Sequence, residues 1–224
     1  MINFKDLQSD DPNIQGELDM LKEAYQFSRK AHDGQFRKTG EPYVSHPVAV
    51  SQILTSWNLD APALIAALLH DVVEDTDYTL EDLERLVGTT VARIVHGLTK
   101  ISHLKKDKDV SLQAENFRKM LLTLHDDVRV IIIKIADRLH NMTTLDGLAE
   151  YKQVKIASET LYIYAPLAHR IGLYNVKTTL EDLGFKYTEP EQYAHIKSNV
   201  EEDRAFQDAY IESFTTLVHD ALDK

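Results

Sequence analysis

Residues 63–76 read ALIAALLHDVVEDT. Seven apolar residues run without Gly or Pro into His70 and Asp71, and Glu74, Asp75 and Thr76 follow. Asp60 and Pro62 stand just upstream, an N-cap with Pro close behind it. The spacing predicts a buried helix from Ala63 to about Glu74, apolar nearly all round. An ionised Asp beside such a run costs several kcal/mol unless it is paired, roughly the penalty of burying an uncompensated charge. On a helix, His70 and Glu74 are four apart, Asp71 and Asp75 four apart, and Asp71 and Glu74 three apart. All would share neighbouring turns of one face. Taken alone, His70–Asp71 reads more often as a cap or a hydrogen-bonded core pair than as a metal site.

The rest of the chain is built in the same way. Only 8 Gly and 6 Pro punctuate 224 residues, and 43% of the residues are hydrophobic. Apolar positions from Leu18 to Ala31 fall at helical spacing. A turn-rich loop, DGQFRKTGEPY, covers Asp33 to Tyr43. Pro47 suits the first turn of a helix that reaches about Trp57. Thr79 to Asp82 fits a capping box for a helix to Leu86, Gly88 ends it, and Thr90 to Leu98 begins another. Residues 100–111 read as a polar loop and 112–125 as a helix. The β-branched run VRVIIIKI (128–135) is compatible with a strand. Its periodicity continues through Ala136, Leu139, Met142 and Leu145, which favours one long helix. A helix from Val154 to Ile171 is expected to kink at Pro166. Helical spacing continues from Glu191. The expectation is an all-α, compact multi-helix bundle with little or no sheet.

Composition limits the chemistry. There is no Cys, so disulfides, thiol nucleophiles and thiolate-bound metals are excluded, and any cation must be held by His, Asp and Glu. The net charge is −11, from 25 basic and 36 acidic residues, which argues against nucleic acid or an anionic membrane as partner. No signal peptide or spanning segment is apparent, and a cytoplasmic location is expected. Two further segments supply donors. His46 stands at the entrance of the helix begun by Pro47, and Asp137 lies inside the apolar run KIADRLHNM. Asp137 alone reads equally as an ion pair with Lys134 or Arg138. Together His46, His70, Asp71 and Asp137 make two imidazoles and two carboxylates, a set suited to Mn²⁺ or Fe²⁺, with Zn²⁺ also compatible. Asn141, Thr144 and Leu148 follow Asp137 at steps of four, three and four, one helical stripe that reads as a substrate wall or a solvated flank.

The order H…HD…D resembles the HD-domain phosphohydrolases. Six ordered segments narrow the resemblance: FRKTGEPYVSHPVAV, ALLHDVVEDT, GLTKIS, QAENFRKMLL, VIIIKIADRLHNMTTL and YAPLAHRIGLYNVKTTLEDLGFKY. They are similar to the hydrolase domain of the RelA/SpoT homologues, across about residues 20–190. That resemblance implies an HD-type domain over 1–190 that hydrolyses the 3′-pyrophosphate of the alarmones ppGpp and pppGpp. It implies one Mn²⁺ on His46, His70, Asp71 and Asp137, with Glu74 and Asp75 serving the attacking water. Arg37 and Lys38 would meet the base and phosphates, and Asn141, Thr144 and Leu148 would line the nucleotide. His169 departs from the family's usual Asn, away from these residues. Residues 191–224 resemble the connector to a synthetase domain, which is absent from this chain. A longer bifunctional enzyme is therefore expected, with a small stand-alone hydrolase as the competing account.

Overall fold

The computed structural model describes residue 9, residues 11–104 and 127–201, and residues 211 and 215, the side chains of 101–104 excepted. The loop expected at 100–111 is overturned at its start, because α-helix continues through residues 100–104. Its remainder, 105–111, lies outside the described residues, as does the helix expected at 112–125. So does most of the chain after residue 201. Residues 190–201 are helical, as the spacing predicts. Among the described residues there is no strand, only one isolated bridge between Phe36 and Pro42. The all-α expectation holds. The fold divides into two compact units, Met1–Ala149 with Arg170–Gly172, and Glu150–His169 with Leu173–Lys224.

The first unit is built around the apolar run. Helix α1 covers Pro12–Ala31, α2 Ser45–Ser56, α3 Ala61–Leu69, and α4 is the single turn Val72–Asp75. Helix α5 covers Leu80–Leu104 and α6 Val128–Thr143. Helix α3 packs against α1, α2, α5 and α6, which is why it is apolar on every side. Ala63, Ile65, Ala66, Ala67, Leu68 and Leu69 are all buried. Asp60 caps α3 by accepting from the Ala63 N–H at 3.3 Å. Arg129 at the start of α6 bonds Asp60 at 2.7 Å and Asp127 at 2.7 Å, tying the N-terminal ends of α3 and α6 together.

Two boundaries follow the sequence closely. Thr79 and Asp82 exchange bonds as a capping box, Asp82 N–H to Thr79 Oγ1 at 3.3 Å and Thr79 N–H to Asp82 Oδ2 at 2.9 Å. Gly88 adopts φ 80°, ψ 169°, so the helix direction breaks there, at a conformation a residue with a Cβ resists. The run at 128–135 is helix, not strand, because Val130, Ile131, Ile133 and Ile135 are buried among other helices.

Two further expectations fail. The helix expected to continue from Ala63 to Glu74 stops at Leu69. The His70 imidazole bonds the Ala67 carbonyl at 2.8 Å, competing for the acceptor that a continuous helix would offer to the Asp71 N–H. The chain resumes as α4, whose first turn hangs on the Asp71 carbonyl through the Glu74 and Asp75 N–H groups. The long helix expected to reach Leu145 ends at Thr143, and Leu145–Gly147 forms a 3₁₀ turn. Leu148 therefore does not continue the stripe of Asn141 and Thr144.

In the second unit, α7 covers Glu150–Glu159, a π-helical turn Thr160–Tyr164, α8 Ala165–Arg170 and α9 Tyr174–Thr188. The irregularity expected at Pro166 is taken up by the π turn just before it, where the Ala165 N–H reaches the Thr160 carbonyl. Helix α9 packs on α7 and on the π turn. Gly184 of α9 lies so close to Leu161 that an added Cβ would fall 2.6 Å from its side chain.

Candidate metal centre

Three separate segments of the first unit bring the site together. His46 comes from the first turn of α2, His70 and Asp71 from the break after α3, and Asp137 from the middle of α6. His46 and His70 are 3% and 1% exposed. His46 Nε2 lies 3.2 Å from Asp137 Oδ1 and 3.7 Å from Asp71 Oδ2. His70 Nε2 lies 3.1 Å from Asp71 Oδ1. Ligating atoms of His46, His70 and Asp137 all fall within 4.8 Å of one another. The structure brings together all four residues the sequence proposes.

The electrostatics of the cluster are those of a site that holds positive charge. Burial opposes ionisation of Asp71, but the His70 charge and contact outweigh it and hold the carboxyl below the usual range. Burial opposes Asp137 too, and Lys134 and His46 hold it well below. Burial disfavours a charged His70, yet the Asp71 carboxylate outweighs burial and pushes the imidazole up to about 9. His70 also has its Nδ1–H committed to the Ala67 carbonyl, so a neutral ring points its Nε2 lone pair inward. That nitrogen is buried and lacks a hydrogen bond, despite the carboxylate oxygen beside it. A buried ring nitrogen that lacks a hydrogen bond and offers its lone pair once its proton is displaced, among two carboxylates and a second imidazole, fits a divalent cation.

A second layer surrounds the donors. Lys134 is buried, with Nζ 3.3 Å from Asp137 Oδ2, and Arg138 is buried as well; neither is a surface residue. Asn141 donates from Nδ2 to Asp137 Oδ1 at 2.6 Å. Arg37 donates to Asn141 Oδ1 at 3.2 Å and to Thr144 Oγ1 at 3.1 Å. The loop carrying Arg37 is pinned by its N–H to the Glu41 carbonyl and by the Phe36–Pro42 bridge. Lys38 is exposed, and its backbone lies against Gly147. Leu148, partly buried, caps the 3₁₀ turn. Glu74 and Asp75 are exposed on α4.

Two participants were not singled out in the sequence. The Tyr43 hydroxyl lies 2.8 Å from both Asp71 Oδ2 and Asp75 Oδ2. Burial, then the charges of Asp71 and Asp75, push its phenol far up, so it keeps its proton. His140 places Nδ1 2.8 Å from His46 Nδ1. Burial, then the charges of His46 and Arg37, bring His140 down to about 4. Tyr43 lies three residues before His46 and His140 three after Asp137. The second offset is one helical turn of α6, a signal that could have found His140; Tyr43 lies in the turn ahead of α2, where its carbonyl accepts the His46 N–H.

Helices here clasp a buried His/Asp cluster that could hold a metal ion, and the HD domain family model matches residues 24–174. The chain belongs to the HD domain family. It is 47% identical over 206 residues to the bifunctional (p)ppGpp synthase/hydrolase SpoT of Escherichia coli K12, covering 92% of this chain and 29% of that protein. It is 50% identical over 188 residues to the guanosine-3′,5′-bis(diphosphate) 3′-pyrophosphohydrolase of Vibrio cholerae, covering 84% and 27%. A GTP pyrophosphokinase of Myxococcus xanthus is 46% identical over 209 residues, covering 92% and 28%. The chain thus spans less than a third of the length of these relatives. A solved metazoan orthologue of SpoT, described as hydrolysing ppGpp, matches with a TM-score of 0.60 and 31% identity, over 76% of this chain and 96% of that one. Among the described residues no helix is long and apolar enough to cross a membrane.

Proposed function

We propose that this chain hydrolyses the 3′-pyrophosphate of ppGpp and pppGpp to GDP or GTP and pyrophosphate, with one Mn²⁺ on His46, His70, Asp71 and Asp137. The observation that carries this reading is Asn141. It joins Asp137 of the cluster to the guanidinium of Arg37, so a base-binding arm and a metal site form one connected unit. Relatives named for this hydrolysis support the choice of substrate.

A divalent cation there would supply Lewis acidity to a water and to phosphate oxygens. Arg37, held by Asn141 and Thr144, presents a planar cation to a purine or a phosphate. Lys38, exposed beside it, offsets charge on the anionic substrate, and Asn141, Thr144 and Leu148 line the nucleotide. Glu74, whose exposed carboxylate makes no ion pair among the described residues, takes the water's proton. Asp75, fixed by Tyr43, orients that water. The water oxygen bonds to phosphorus, the bond to the 3′ oxygen breaks, and that oxygen takes up a proton.

In a full-length protein this part would work beside a synthetase, residues 191–224 leading toward it, in the cytoplasm and without binding nucleic acid or membrane. The deciding experiment is timed ppGpp hydrolysis by chelated protein, then with Mn²⁺, Mg²⁺ and Zn²⁺ restored separately. Pyrophosphate release restored best by Mn²⁺ is expected. Turnover of deoxynucleoside triphosphates without turnover of ppGpp would overturn the substrate. Binding of ppGpp without pyrophosphate release would overturn the enzyme.

A further inference from the structure

His46 and His140 face each other through like atoms, Nδ1 to Nδ1 at 2.8 Å, so one ring donates and the other accepts. The opposite nitrogen of His46, Nε2, faces Asp137 and Asp71. A neutral imidazole carries one proton. If Nε2 is to offer a lone pair to a cation, that proton must sit on Nδ1, and Nδ1–H needs an acceptor. His140 Nδ1 is the atom in place to accept it.

His70 meets the same demand differently. Its Nδ1–H donates to the Ala67 carbonyl, a group that can only accept, so its tautomer is fixed by the backbone. The ring of His46 has no such fixture. Its Nε2 is 3.2 Å from Asp137, which would accept a proton there as readily as His140 accepts one on the other side. The ring of His140 lies 4.9 Å from that of His46, centroid to centroid, at 43°. It is carried three residues after Asp137 on the same helix, so one turn of α6 delivers both a carboxylate donor and the partner of an imidazole donor.

We propose that His140 is a positioning residue that accepts the Nδ1–H of His46 and so fixes the tautomer and ring orientation in which Nε2 faces the cation. This rests on the metal centre proposed above. It assigns His140 no contact with substrate.

The test is Mn²⁺ affinity by titration calorimetry on the wild type, His140→Leu and His140→Asn, with circular dichroism checking the fold of each. Leu removes the acceptor, and Asn offers an amide oxygen near the position of Nδ1. His140→Leu should weaken Mn²⁺ binding about 10–100-fold, and His140→Asn should recover most of that loss, as expected when a ligand's hydrogen-bond partner is removed and replaced. Wild-type affinity in His140→Leu overturns the proposal, and so does an Asn variant no better than Leu. A second measurement needs no substitution: long-range ¹H–¹⁵N spectra of wild-type protein loaded with diamagnetic Zn²⁺. His46 should be protonated at Nδ1 and His140 at Nε2; the reverse pattern overturns the proposal. Wild-type protein that takes up no Mn²⁺ rejects the metal centre itself and this proposal with it. Mn²⁺ uptake with the predicted variant pattern but no ppGpp hydrolysis supports the role of His140 and rejects only the proposed substrate.

Discussion

Tyr43 has one hydroxyl proton and two carboxylate oxygens at equal distance, Asp71 Oδ2 and Asp75 Oδ2. Removing the hydroxyl leaves two acidic groups facing each other with nothing between them. Tyr43→Phe should therefore lower kcat about 10–100-fold, as loss of a ligand's supporting bond does elsewhere, measured at saturating Mn²⁺ and ppGpp. His46→Ala and Asp71→Ala should remove metal and activity together; full Mn²⁺ occupancy in both would contradict the ligand assignment. Glu74→Gln should keep the metal and lose most turnover, and wild-type rates there would remove Glu74 from the mechanism. At this scale the donors were legible because ionisable groups inside apolar runs need a reason. His70, Asp71 and Asp137 each interrupt such a run, and His46 opens a helix. Tyr43 and His140 were not legible, since an aromatic in a loop and a His in a helix are ordinary residues until their neighbours across the fold are known.

Helices α5 and α6 touch where Gly97 faces Val130, and a Cβ on Gly97 would lie 2.8 Å from Val130 Cγ2. The Val130 side chain is buried and β-branched, so it has little freedom to turn away. Gly97→Ala should destabilise the protein by about 1–3 kcal/mol, the usual range for an overpacked core, read as a lower urea midpoint at unchanged slope. Chain direction at this scale was legible where chemistry marks it: the capping box at Thr79, the Asp60 cap and the break at Gly88. It was not legible at His70, where neither Gly nor Pro announces that α3 ends and the cause is a side chain bonding its own helix. The same holds after Thr143, which is why Leu148 was placed on a stripe it does not join.

For the molecule as a whole, periodicity and sparse punctuation were enough to read an all-helical fold, and the absence of Cys was enough to restrict any metal to His and carboxylate donors. The site also gives the whole protein a pH dependence. In the metal-free protein His70 is pushed up to about 9 from 6.5. Its charge therefore stabilises the fold fully below about pH 6.5, and that contribution is lost as pH rises through 9. A cation must displace the same proton, so Mn²⁺ affinity should rise with pH over this window by up to about tenfold per unit. Chelated and Mn²⁺-loaded melting curves from pH 6 to 9 should diverge as pH increases; parallel curves would contradict the sign. The donors are also widely spaced in the chain, His46 and Asp137 standing 91 residues apart in sequence. With a cation bound as proposed, the chain between them closes into a ring, a reversible staple whose entropic effect falls on the unfolded chain. Resistance to proteolysis would then follow the supply of metal, tightening when the ion is plentiful and slackening when it is withdrawn, with no change in a single covalent bond.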